Sequence, residues 1–381
     1  MSESGDIPLL SRVEAAPSIP KDAALDLALL EREFVAAEVE SLRASIPRFR
    51  PLYARRNALI TSKLASTDFW PRVFASAPAD IDNYILPSDA EIIGRCLKNV
   101  TVERPGVDEA GKGEPRNIRF VFEFDNGEEN VWFSDAKVVK EFWWRKSVSK
   151  GEEGSGRRSV WEGLVSEPVR ISWRSKEVDP TKGLLDAACD LAEKEKKVVK
   201  SGGLDSLSAE KRVELPEYEK LVKEVERVEA EMQGEHGHDH DHEHGEECDD
   251  SPAGMSFFAW FGYRGRDISA AASEAANKDD DEYWAEVAKG KKESKKEGEE
   301  DDDEDDDEDA DGLMDAEIFP DGDDLAVALS EDLWENALQY YVQSFEVADD
   351  FDSDIDMGML GSDDEGSDED EAERPRKKAK A

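Results

Sequence analysis

The side chains best suited to chemistry in this 381-residue chain lie in one short tract. His236, His238, His240, His242 and His244 alternate with Gly237, Asp239, Asp241 and Glu243, and Cys248 follows. Imidazole, carboxylate and thiolate are ordinary ligands of zinc and nickel. A structural zinc site, however, draws its ligands from a rigid frame at defined spacing, and this tract only alternates. The expected role is weak adventitious binding, with no resident metal or cofactor. The tract also holds all five histidines of the chain, so the apolar segments contain none to act as a base beside a nucleophile. No GxxxxGK[ST], GxSxG or HExxH signature occurs, and catalysis is not expected. Cys96, Cys189 and Cys248 form no CxxC and no disulfide-like spacing, which suits a reducing compartment.

Carboxylates offer a different chemistry, the capture of cations. Asp and Glu number 94 against 49 Lys and Arg, a net charge of -45, and the surplus is bunched in Glu299 to Asp309 and in Asp349 to Glu373. Blocks of one sign bury no apolar surface and are expected to stay unfolded as interaction tails. Their field gathers polycationic partners and repels nucleic acid, so no direct, specific nucleic-acid binding is expected. The last residues reverse the sign: Arg374, Arg376, Lys377, Lys378 and Lys380 read as a nuclear import signal. Ser362 and Ser367 sit in acidic settings that acidophilic kinases favour, where a phosphate would add to the existing charge. Met1 to Ser11 lacks the basic start and apolar stretch of a secretory signal, and no run approaches a membrane span. A soluble protein of the nucleus, possible shuttling with the cytoplasm included, is the expectation.

Several elements must position these charges. From about Asp22, Ala28, Arg32, Val35, Val39, Leu42, Ile46, Phe49, Tyr53, Arg56 and Ile60 recur in steps of three and four, which predicts one long helix with a coiled-coil seam. A helix of that length needs a partner, and an identical helix from a second chain is the simplest one. Val35, Val39, Leu42, Ile46, Phe49 and Tyr53 are the expected dimerisation residues, with a kink or break at Pro47 and Pro51. From Val100 the period becomes two. Ile118 to Phe124 reads as a strand, Asp125-Asn126-Gly127 as a hairpin turn and Asn130 to Ser134 as its second arm. Val138 to Trp144 and Val169 to Trp173 add further apolar stretches, with a loop at Gly151 to Arg158. Leu184 to Lys200 and Leu215 to Met232 have helical spacing and are expected to be half-formed when free. Ser256 to Phe261 is too aromatic to stay exposed, and a final helix runs from about Asp324 to Phe345.

The fold class is therefore α+β: a long N-terminal dimerisation helix, then an antiparallel sheet with helices, and disordered acidic loops and tail. The expected division is a disordered segment 1–21, the helix 22–66, the α+β domain 67–348 with insertions at about 183–254 and 278–322, and an acidic tail 349–381.

Ordered along the chain, Pro51-Leu52-Tyr53, Arg55-Arg56, Phe69-Trp70, Ile171-Ser172-Trp173, SFFAWF, SEDLW, LQYY and an acidic tail resemble the nucleosome assembly protein/SET histone chaperones. Ser166 to Trp173, Ser88-Asp89, Leu325 to Tyr341 and the basic end are most similar to the fungal vacuolar-protein-sorting-named member, which partners a histone acetyltransferase. The resemblance implies a homodimer of antiparallel long helices, core histones as partners, and presentation of them to an acetyltransferase. It implies histone contacts at Glu331 and Asp332, joined by Glu335 on the same helix and by Asp279, Asp280, Asp281 and Glu282. An acidic dimeric adaptor of a nuclear enzyme is the alternative reading.

Overall fold

The computed structural model describes residues 21–128, 130–150, 158–202, 207–235, 255–290, 313 and 316–346. Helix α1 spans Lys21–Lys63 and leads into three short helices, α2 (Phe69–Ala75), α3 (Ala79–Asp82) and α4 (Pro87–Cys96). Four strands follow, β1 (Leu97–Glu103), β2 (Ile118–Phe124), β3 (Lys137–Lys150) and β4 (Arg158–Ser166), hydrogen-bonded in chain order as one antiparallel sheet. Helices α5 (Leu184–Gly202), α6 (Ala209–Val213) and α7 (Pro216–Glu235), a 3-10 segment at Phe257–Gly262, α8 (Ala270–Ala288) and α9 (Gly322–Val327) complete the body. A π turn at Ala328–Leu333 and a helix over 337–346 close the described chain.

Alternation in IRFVFEF sends Ile118, Phe120, Phe122 and Phe124 to one face, where they are buried. Val100 lies opposite Phe122, and Lys140 opposite Phe120. Onto this face packs SFFAWF: Trp260 lies 5.1 Å from Phe120 and 5.2 Å from Phe142, and its indole donates to the Gly322 carbonyl at 2.8 Å. Asp89 holds the segment in place, accepting from Ser256 Oγ at 2.6 Å and the Phe257 amide at 2.8 Å. Lys140 is fully buried and gives its ammonium protons to the carbonyls of Glu167, Phe261 and Tyr263. Burial pushes its pKa down to about 7.

Several local expectations are corrected. The partner of β2 is Lys137–Lys150, not Asn130 to Ser134. The turn after Phe124 opens because Asn130 folds inward, its side chain donating to the Asp125 carbonyl and accepting from the Trp132 and Phe133 amides. Phe133 meets Trp173 only in an isolated bridge, so Val169 to Trp173 is not a full strand. Arg158 opens β4 rather than closing a loop. Helix α1 runs unbroken through Pro47 and Pro51. Near its exposed middle, the carbonyls that lose their amide donors can turn to water. Leu184, Leu185, Ala188 and Leu191 of α5, and Tyr218, Leu221, Val225 and Val228 of α7, belong to the main core, so these helices are part of the folded body. The final helix is interrupted: the Trp334 amide reaches back five residues to the Leu329 carbonyl at 3.0 Å, the spacing of a π turn.

Candidate functional site

Two acidic patches flank α1. The first grows from the last helical segment. Leu325, Ala326, Leu329, Leu333, Trp334 and Ala337 are buried, with Trp334 stacked on Trp70 at 5.7 Å and near Tyr53 at 5.3 Å. Anchoring that edge leaves Glu331, Asp332 and Glu335 on the other side of one turn. Glu331 receives Arg104 Nη2 at 3.0 Å and keeps about half of its side chain exposed. Asp332 accepts from Asn336 Nδ2 at 2.7 Å and from the Tyr340 hydroxyl at 2.8 Å. Burial and that carboxylate push the Tyr340 phenol up to about 12. Burial, then the charge of Glu331, raise the Glu335 carboxyl, with Arg104 and Arg56 opposing. The turn thus gathers three carboxylates, of which Glu331 is ion-paired to Arg104.

The second patch lies on α8, whose Ser269 caps the helix by accepting from the Ala272 amide. Asp280 is 1 % exposed. It receives Arg32 Nη1 and Lys146 Nζ at 2.8 Å and Arg158 Nη2 at 2.5 Å. Burial opposes its ionisation, but hydrogen bonds from Lys146, Arg32 and Arg158 prevail and bring its pKa down to about 2. Asp280 therefore joins α1, the β3–β4 hairpin and α8, and presents no carboxylate to a partner. Its neighbours differ. Asp281 is largely exposed at 3.4 Å from Arg32 and Glu282, also exposed, faces Lys278 at 3.9 Å, whereas Asp279 is half-buried on the other flank of α8. Arg32 and Arg56 mark the two patches, and 24 residues of helix place them about 36 Å apart.

The expected dimerisation residues divide. Val39, Leu42, Ile46 and Tyr53 are half-buried, Tyr53 against the core and Leu42 and Ile46 along a groove beside β1, while Val35 and Phe49 are exposed. A second apolar stripe faces outward: Leu27, Leu30, Phe34, Leu52 and Leu59 are all exposed, Phe34 at 62 %. At 100° per residue it is rotated by roughly 100° from the expected seam. Sequence reasoning missed this stripe, and it also missed Arg104 and the burial of Arg56. Arg32 and Arg56 did occupy positions on an apolar seam, where an arginine must find partners.

Two cavities adjoin these elements. A cleft of about 960 Å³ between residues 176–187 and α7 is lined by mixed charges that pair with one another, as Lys182 does with Glu231 and Arg227 with Glu224. A groove of about 650 Å³ runs between α1 and β1. Among the described residues no cluster of histidine, cysteine and carboxylate could hold a metal ion, and no helix is long and apolar enough to cross a membrane. The histidine tract with Cys248, the acidic runs 299–309 and 349–373, Ser362, Ser367 and the basic cluster 374–380 lie outside the described residues.

No protein-family model matches the sequence. A Schizosaccharomyces pombe protein provisionally named as a nucleosome assembly protein is 30% identical over 149 residues, 39% of this chain and 56% of that protein. The match therefore spans little more than half of the relative's length. Among solved structures, a crystal structure of Ccp1 aligns over 85% of this chain and 96% of its own, at 21% identity and a TM-score of 0.42. A Ccp1 mutant aligns over 86% and 98%, at 20% identity and the same TM-score.

Proposed function

We propose that this chain is a histone chaperone of the nucleosome assembly protein/SET group, a non-enzymatic homodimer that binds core histones through acidic surfaces and hands them on for nucleosome assembly. The observation that carries the reading is the 30% identity to the fission-yeast protein. The long helix, the antiparallel sheet and the charge of -45 accompany it. Histones are lysine- and arginine-rich polycations. Each exposed ion pair contributes only about 0 to 1 kcal/mol, so many weak contacts screen the histone yet release it. DNA, a denser polyanion, then takes it over.

Glu331, Asp332 and Glu335 form one proposed histone contact, Asp279, Asp281 and Glu282 another, and the acidic tail adds a diffuse third. The basic end, Arg374 to Lys380, serves nuclear import. The similarity to the fungal acetyltransferase-associated member supports presentation of the bound histone to such an enzyme.

Dimerisation in this reading uses the outward stripe of α1. Residues 26–40 carry Asp26, Glu31, Glu33, Glu38 and Glu40 against Arg32, whereas residues 41–63 carry Arg43, Arg48, Arg50, Arg55, Arg56 and Lys63 with no acid. Two copies therefore attract when antiparallel and repel when parallel. Centred on residue 43, the antiparallel pairing sets Leu27 of one copy opposite Leu59 of the other, Phe34 opposite Leu52, Glu31 opposite Arg55 and Glu38 opposite Arg48. Histone titration of the full chain tests the site: Glu331→Lys with Asp332→Lys is expected to weaken core-histone binding about tenfold at physiological salt while the solution mass stays that of a dimer. Unchanged affinity would remove this turn from the site.

A further inference from the structure

Most of α1 is uncovered within one chain. Among its described residues only Arg56 and Ile60 are buried, and Ala28 and Val35, at the start of its seam, do not pack on the core. A second uncovered face lies on the helix over 337–346. Ala337 is buried there and Tyr341 stacks on Phe69 at 4.5 Å. Leu338, Val342 and Phe345, in steps of four and three, turn outward and are 47 %, 56 % and 42 % exposed. Residues 336–345 (NALQYYVQSF) carry no carboxylate and no cation. In a chain with a net charge of -45, so apolar and uncharged a strip of surface marks a contact.

This helix begins beside α1. Arg56 donates to the Trp334 carbonyl, and the Trp334 ring lies 5.3 Å from Tyr53; Leu338 follows one turn later. At 100° per residue, Arg56 stands roughly 40° round α1 from Leu52, between the outward stripe and the seam. The antiparallel pairing proposed above, set by the opposite charges of the two halves of α1, brings Leu30 of a second copy level with Arg56 and its Ala28 level with Ala58. A two-fold axis across the pair sets seam side beside seam side. The uncovered start of one seam therefore meets the uncovered strip of the other chain.

We propose that Leu338 and Val342 dock against the first turns of a second copy's α1, around Ala24, Leu27 and Ala28. The inference rests on the antiparallel dimer of the proposed function and adds a contact to it. Small side chains at Ala24 and Ala28, four residues apart on one face, let the two helices approach closely. Within one chain these surfaces stay apart, because about 42 Å of helix separates Ala28 from Arg56. The contact sets the turn Glu331–Glu335, which precedes Leu338, beside the second copy.

The test uses the full chain with a photo-crosslinking benzoylphenylalanine at position 342, as a mixture of isotopically light and heavy protein left to exchange subunits. Adducts joining a light chain to a heavy one, on the peptide covering 22–32, are expected. A dimer whose adducts stay within single chains, fall elsewhere or do not form would overturn this contact and leave the dimer standing. A chain that sediments as a monomer would overturn the dimer itself and the contact with it. A charge exchange gives an independent measurement. Leu338→Glu should raise the dissociation constant in ultracentrifugation at least about tenfold with circular dichroism unchanged, and Ala28→Lys added to the same chain should recover at least about threefold of that loss. A dimer that shows no loss, or no recovery, would equally overturn the contact.

Discussion

Asp280 differs from its neighbours in sequence because its position, not its type, decides its role. Ser273, Ala276, Asp280 and Val287 are the buried residues of α8, spaced as one helical face; the sequence reading placed an acidic insertion from about residue 278, which the helix through Ala288 corrects, and so counted Asp280 as one more surface acid. Lys140 repeats the lesson on a strand. It lies between Val138 and Phe142 on the inward register, and only the structure supplies the three carbonyls that make this tolerable. Asp280→Asn should cost roughly 3 kcal/mol in urea unfolding, because three cations lose their shared counter-charge in a dry site. The pH dependence carries a sign. The folded pKa is depressed to about 2, so the contribution is complete above about pH 4 and disappears as pH falls toward 2. The stability difference between wild type and Asp280→Asn should be flat above pH 4 and shrink below it.

At the scale of elements, length and period were legible and partners were not. The three-four spacing identified α1, and the two-residue period identified β2, because each reports the geometry of a single element. Asp125-Asn126-Gly127 suggested a tight hairpin, but the Asn130 side chain competes for the backbone and lengthens the connection to β3. The α1 seam was read as facing a second chain. Leu42, Ile46, Phe49 and Tyr53 of it line a groove beside β1, and a helix this long carries apolar residues on more than one side. This gives a discriminating prediction. Phe34→Asp with Leu52→Asp should raise the dissociation constant of the proposed dimer at least about a hundredfold in ultracentrifugation while circular dichroism is unchanged. Ile46→Asp, on the inward side, should lower thermal stability instead.

Across the whole molecule, the charge excess was visible from composition alone, whereas the site depends on which acids are already neutralised. The β3–β4 hairpin, α8 and the start of α1 consume Asp280. The turn at Glu331, Asp332 and Glu335 is only partly compensated by Arg104. The proposed histone binding, as a sum of such exposed pairs, should weaken at least about tenfold between 0.1 and 0.5 M salt, measured by fluorescence titration. A salt-independent affinity would indicate an apolar contact instead. The two anchors of α1 carry one more consequence. Arg32 grips Asp280 near one end and Arg56 grips the Trp334 carbonyl near the other, so the body acts as a gauge for the helix between them. Inserting seven residues after Ala44 would keep every side chain on its original face yet push one anchor about 10 Å past its mate. The length of this rod is thus dictated from within the single chain, independently of the proposed dimer.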